Sequence, residues 1–118
     1  MSFSTGPSGT YLQKLFDRWG ILAAVKERIV IPPPGVSVGS YVAEGRADLG
    51  FQQLSELINV PGIDVLGALP DEIQSMTVFS GGVGKGSGNP AVASALLASM
   101  TAPATADVKR RFGMEAMA

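Results

Sequence analysis

Short apolar runs and amphipathic stretches take turns along this chain, punctuated by glycine and proline, and that alternation most constrains its fold. Strand signals alternating with helix signals argue an α/β fold, a mostly parallel sheet flanked by helices. Residues 2–5 read as a short strand arriving at Gly6-Pro7. Ser8 can then cap a helix, because its side-chain oxygen accepts from N–H groups two or three residues on. Tyr11, Leu12, Leu15, Phe16 and Trp19 form one apolar stripe of that helix, with Gln13, Lys14, Asp17 and Arg18 on the wet side. The stripe assigns all three large aromatic residues of this kind, Tyr11, Trp19 and (on a later helix) Tyr41, to core packing. Gly20 stands where a left-handed residue ends a helix.

A second short helix is expected over residues 21–28, then a buried strand over 29–31. Pro32, Pro33 and Pro34 can neither pair in a sheet nor continue a helix, so they form a stiff loop. Gly35 is expected to open a helix reaching Glu44, with Val38, Tyr41 and Val42 inward and Gly45 as its stop. Residues 47–51 read as a short central strand, 54–58 as a short helix and Pro61-Gly62 as a turn. Two more strands are expected over 64–69 and 73–80. In the second, Ile73, Ser75, Thr77 and Phe79 alternate with Gln74, Met76 and Val78. A glycine-rich loop covers 81–88. Asn89-Pro90 and Ala102-Pro103 then each begin a helix in the favoured order, with Gly113 as the final stop. A length of 118 residues suits one domain, 1–118, with a core of its own.

Composition removes several function classes. A net charge of −1 offers no long-range pull toward nucleic acid, and the basic cluster Lys109-Arg110-Arg111 falls in a last helical turn, where cations complement the helix dipole. With no cysteine, disulfides and thiolate metal sites are impossible. With no histidine, the usual general base near neutral pH and the commonest metal ligand are both missing. Asp48, Glu56, Asp64, Asp71 and Glu72 are scattered without the spacing of a metal cage, so neither metal nor cofactor is expected. No apolar run approaches the roughly 20 residues needed to cross a bilayer, and residues 1–20 do not read as a secretion leader.

Two lookalike motifs fail on chemistry. Gly35-Val36-Ser37-Val38-Gly39 fits a nucleophile elbow, but that elbow needs an imidazole to take the serine proton, so Ser37 is read as a first-turn helix residue. Gly84-Lys85-Gly86 resembles part of a phosphate-binding loop, yet the residue after the lysine lacks the hydroxyl a metal would need.

Four further elements stand in a telling order: Pro7-Ser8-Gly9-Thr10-Tyr11, the helix start near Gly35, Gly50 with Ser55 and Glu56 five and six residues on, and the closing Arg111-Phe112-Gly113. Together they resemble the second lobe of a molybdate-type, type II periplasmic solute-binding protein. The resemblance covers nearly the whole chain and implies that it begins where that lobe begins, without the first lobe. It implies an anion half-site built from backbone N–H groups at helix starts, at Ser8, Gly9 and Thr10 and again at Gly35 or Val36. Where some relatives place a tyrosine whose hydroxyl reaches the ligand, this chain has Gln53. An amide offers donors and an acceptor, so an organic polycarboxylate fits as well as a molybdate-like oxyanion. Also implied are a periplasmic location and a transporter permease of the ABC type as partner.

Some proteins resembling this subgroup isomerise tricarboxylates such as aconitate, which keeps an enzyme reading open with Glu56 as the candidate base. Capping the helix over 54–58 is the plainer role for that carboxylate. A third alternative is a lobe that serves only as an oligomeric structural module. Apolar surface left uncovered at Phe3, Met76 and Phe79, and at Val92, Leu96, Met100, Val108 and Phe112, is expected to drive homo-oligomer formation.

Overall fold

A computed structural model describes residues 1–117. The chain divides into two compact units, Met1–Met76 and the residues from Thr77 onward. The first is a small α/β unit. Strand β1 (Ser2–Phe3) lies parallel to β2 (Gly50–Phe51), with Ser2 opposite Gly50 and Phe3 opposite Phe51. A single parallel bridge from Ser2 to Val30 is what forms of the expected strand at 29–31. Ser2 is fully buried, and its polar groups are satisfied: its N–H donates to the Leu49 carbonyl and its hydroxyl to the Val30 carbonyl, at 2.8 and 2.7 Å.

Helix α1 (Pro7–Arg18) carries the core stripe. Leu12, Leu15 and Phe16 are buried with Phe3, each contributing about 1.5–3 kcal/mol by leaving water. Phe3 is thus fully buried rather than on the apolar surface expected for it, because β1 runs beneath α1. Trp19 departs from the stripe: at 49% exposure it lies on the surface, its ring 6.3 Å from Phe16. It is the C-cap of α1, one residue before the positive-φ Gly20. The helix begins two residues earlier than expected. Gly6 is its N-cap, Pro7 its first residue, and the Ser8 hydroxyl meets that of Ser4 at 3.5 Å instead of capping. Gly9 is fixed by a close approach, since a Cβ there would stand 1.7 Å from the Ser4 carbonyl oxygen.

Helix α2 (Leu22–Val25) runs into a 3₁₀ turn over Lys26–Arg28 and packs on α1. Helix α3 (Val38–Ala43) packs on both strands. It starts three residues after Gly35, because Gly35 is committed to a turn. The Val36 N–H donates to the Pro33 carbonyl at 3.1 Å and Gly35 has φ +82°, the arrangement of a type II turn with Pro34 and Gly35 at its centre. Ser37 is the N-cap rather than a first-turn residue, its hydroxyl accepting from the Gly39 N–H. Val38 and Tyr41 are buried as expected. Gly20, Gly45 and Gly113 each follow a helix with φ near +70°, as their placement in the sequence demands.

After helix α4 (Leu54–Leu57) the chain is irregular through residue 89. The strands expected over 64–69 and 73–80 do not form. Alternation supplies two faces, but a strand also needs a partner strand for its N–H and C=O groups, and among the described residues the sheet holds only β1 and β2. The residues from Thr77 carry helix α5 (Pro90–Thr101), a 3₁₀ turn at Pro103–Thr105 and helix α6 (Ala106–Arg111). Asn89 and Pro90 take the N-cap and first-turn places, and Lys109, Arg110 and Arg111 fill the last turn of α6. Among the described residues, no single helix is long and apolar enough to cross a membrane.

Candidate functional site

Parallel strands leave their carboxyl ends on the same side, and loops leaving those ends gather there. Here Ser4, Thr5 and Gly6 follow β1, Pro32 to Ser37 follow the bridge at Val30, and Gln52 follows β2. These segments, together with Glu56 at the start of α4, line a cleft of about 490 Å³. That volume is in the range of small-molecule sites.

The cleft is lined by neutral hydrogen-bonding groups and one carboxylate. Thr5, Ser37 and Gln52 contribute side-chain donors, and Glu56 is the sole charged lining residue. The Ser37 oxygen already accepts from Gly39, which leaves its proton free to donate outward. Gln52 accepts the Val38 N–H on its Oε1 at 3.2 Å. Glu56 is exposed, and its carboxylate forms no hydrogen bond or ion pair among the described residues. Its place in the first turn of α4 also suits the plainer role, a negative charge at a helix start.

The residues singled out from the sequence fall into two groups. Gly35, Val36 and Glu56 line the cleft, although the Val36 N–H is already engaged by Pro33. Ser8, Gly9, Thr10 and Gln53 are not among the lining residues. Gly9 is buried, and neither its N–H nor that of Ser8 meets an acceptor among the described residues. The Thr10 N–H is spent on the Gly6 carbonyl at 3.0 Å.

Sequence reasoning missed Ser4, Thr5, Ser37 and Gln52 among the lining residues, the last in favour of its neighbour Gln53. A period-two argument finds Gln52. A Cβ on Gly50 would stand 2.8 Å from Val38 and 2.9 Å from Val42, so the Gly50 face of β2 looks at α3. Phe51 looks the other way, its ring edge-on to Phe16 of α1 at 6.5 Å. Gln52 shares the Gly50 face and therefore reaches the start of α3.

Comparison with known proteins agrees with this architecture. Aconitate isomerase from a Pseudomonas species is 45% identical over 100 residues, which cover 82% of this chain and 37% of the relative. The chain thus spans little more than a third of the length of that curated relative. No solved structure matches the chain significantly. The model of the bacterial extracellular solute-binding protein family matches residues 1–115. A match over nearly its full length, on a small α/β unit with a cleft at its strand ends, means that the chain belongs to the bacterial extracellular solute-binding protein family.

Proposed function

We propose that the chain recognises a small anion, a molybdate-like oxyanion or an organic polycarboxylate, as one lobe of a type II solute-binding protein serving ABC-type uptake. The observation that carries this reading is the cleft at the carboxyl ends of β1 and β2, lined by the hydroxyl and amide side chains of Thr5, Ser37 and Gln52 with Glu56 as its one carboxylate. Neutral donors fixed in place bind an anion without a counter-charge, as helix starts and glycine loops do. Gly35 lines the cleft, while the free N–H groups of Ser8 and Gly9 lie at the positive end of α1, outside the lining. In this reading the ligand is held in the periplasm and handed to a membrane permease. Titration calorimetry with molybdate, tungstate, citrate and cis-aconitate is the test. Heat with one of them supports the reading, and silence with all four removes it for this chain.

A second reading is enzymatic, and two observations favour it: the identity to an aconitate isomerase and the place of Glu56 on the cleft. Glu56 would take a proton from a carbon beside a substrate carboxylate and return it to another carbon, leaving the substrate's formula unchanged. Conversion of cis- to trans-aconitate that is lost in Glu56→Gln would establish this role. Conversion that survives the substitution would exclude Glu56 as the base.

Self-association belongs to the same proposal. Met76, Phe79, Leu96 and Phe112 are all more than half exposed, and apolar patches of this kind mark surfaces that pair. Light scattering over a dilution series should report a dimer or larger. A monomer at every concentration would refute it.

A further inference from the structure

We infer that Gln52 is the specificity-determining residue of the cleft, a side chain locked so that it can only donate to the ligand. This rests on the anion-binding reading and identifies the group that reads the anion's oxygen atoms.

A glutamine amide is ordinarily ambivalent, with two donors on one end and an acceptor on the other. Here the ambivalence is removed by a backbone group. The Val38 N–H can only donate, so the end of Gln52 facing it at 3.2 Å must be the carbonyl. Val38 is fully buried, and its N–H is one of the donors that the first turn of α3 leaves without a partner inside the helix. Releasing Gln52 would strand that donor, so the side chain is held. Its –NH₂ end has no acceptor among the described residues, and Gln52 lines the cleft.

The start of α3 is otherwise closed to a ligand. Gln52 takes the Val38 N–H, Ser37 takes the Gly39 N–H, and the Val36 N–H closes the turn on Pro33. Gln52 therefore stands between the helix start and the cleft. It accepts from the helix with one end and offers two N–H groups with the other, and each hydrogen bond in such a chain polarises the next. The matching ligand atom is a pure acceptor, a carboxylate or oxyanion oxygen. Gln53 has no such arrangement: it stands at the N-cap of α4, outside the cleft lining, with no side-chain hydrogen bond to the helix.

Gln52→Glu separates donor from scaffold. One carboxylate oxygen still accepts from Val38, so the fold is kept, while the other turns the free end from donor to acceptor. The matched control is Gln53→Glu, which adds the same charge one residue away. Titration with cis-aconitate and, separately, molybdate should show at least about tenfold weaker binding for Gln52→Glu, as expected when a hydrogen bond to a charged group is lost. Gln53→Glu should change it about twofold or less, as for a charge outside the cleft lining and screened by solvent. In the unsubstituted chain, the ligand should shift the Gln52 side-chain amide resonances and leave those of Gln53 in place. Equal loss in both variants would reduce the effect to overall charge and overturn the inference. Wild-type binding with no loss in Gln52→Glu would overturn it while leaving the anion-binding reading intact. Absence of binding by the unsubstituted chain would remove that reading and the role of Gln52 with it.

Discussion

In the unit Met1–Met76, Phe3, Leu12, Leu15 and Phe16 are buried together, whereas in the residues from Thr77 no described residue is buried. Both units carry helices of 12 residues, α1 and α5. Their difference lies in what faces them. Helix α1 has a wet side and an apolar stripe, and the stripe meets β1. Helix α5 is apolar over most of its circumference, from Ala91 and Val92 through Leu96 and Leu97 to Met100, and each of these side chains keeps solvent exposure. Short helices in water are marginal on propensity alone and owe most of their stability to an apolar face packed on something else. The contrast teaches that an apolar helix and a core are different things: the second needs an opposing surface.

The comparison breaks most visibly at Phe3. Phe3→Ala should cost about 3–5 kcal/mol, measured by urea denaturation, because it opens a cavity at the centre of the first unit. A loss below about 1 kcal/mol, the level of a surface change, would mean that this unit has no more core than the other. A second test concerns close approach. Gly9→Ala should destabilise by about 1–3 kcal/mol, since the added methyl must displace the Ser4 carbonyl and with it one wall of the cleft. Thermal unfolding of this variant measures the effect, and an unchanged midpoint would show that the turn before α1 yields freely.

Substitution in the second unit should behave differently. Leu96→Gln, at a side chain 61% exposed, should alter the stability of the monomer by about 0.5 kcal/mol or less. If α5 forms the self-associating surface, the same variant should shift the light-scattering dilution curve toward monomer. A large drop in unfolding free energy without a change in association would instead place Leu96 in a core. Hydrogen exchange sharpens the contrast further: the amides of α1 should outlast those of α5 at low concentration, and α5 should gain protection as concentration rises. The smallest effect belongs to Asp107→Ala. Its 2.7 Å pair with Arg110 is solvent-exposed on both sides, so the cost should be about 0.5 kcal/mol or less and should fade with added salt.

Much of the first unit is legible in the residues. The stripe from Leu12 to Phe16 gives α1, and Gly20 and Gly45 mark helix ends there, as Gly113 does in the second unit, because glycine takes a positive φ without strain. The helix start at Gly35 and the strand at Gly50 are enough to point to the strand ends, where the cleft lies. The remainder is not legible, for reasons that differ from place to place. Residues 73–80 alternate like a strand, but alternation describes two faces and is silent about a pairing neighbour. Gly35 suits a helix start and a type II turn equally well until the carbonyl of Pro33 is seen to accept from Val36. Gln52 and Gln53 are chemically identical, and which one lines the cleft depends on which face of β2 meets α3.

The sequence by itself therefore determined the local quantities: where helices stop, which stripe of α1 is apolar, that no histidine or cysteine chemistry is available, and that glycines and small hydroxyls crowd the strand ends. These follow from each residue's own backbone freedom and side-chain chemistry. Tertiary structure alone decided which apolar surfaces find a partner, which N–H groups remain free, and which glutamine meets the cleft. Such outcomes depend on residues far apart in the chain, Phe3 against Leu15 or Val38 against Gln52, and no local propensity carries that information.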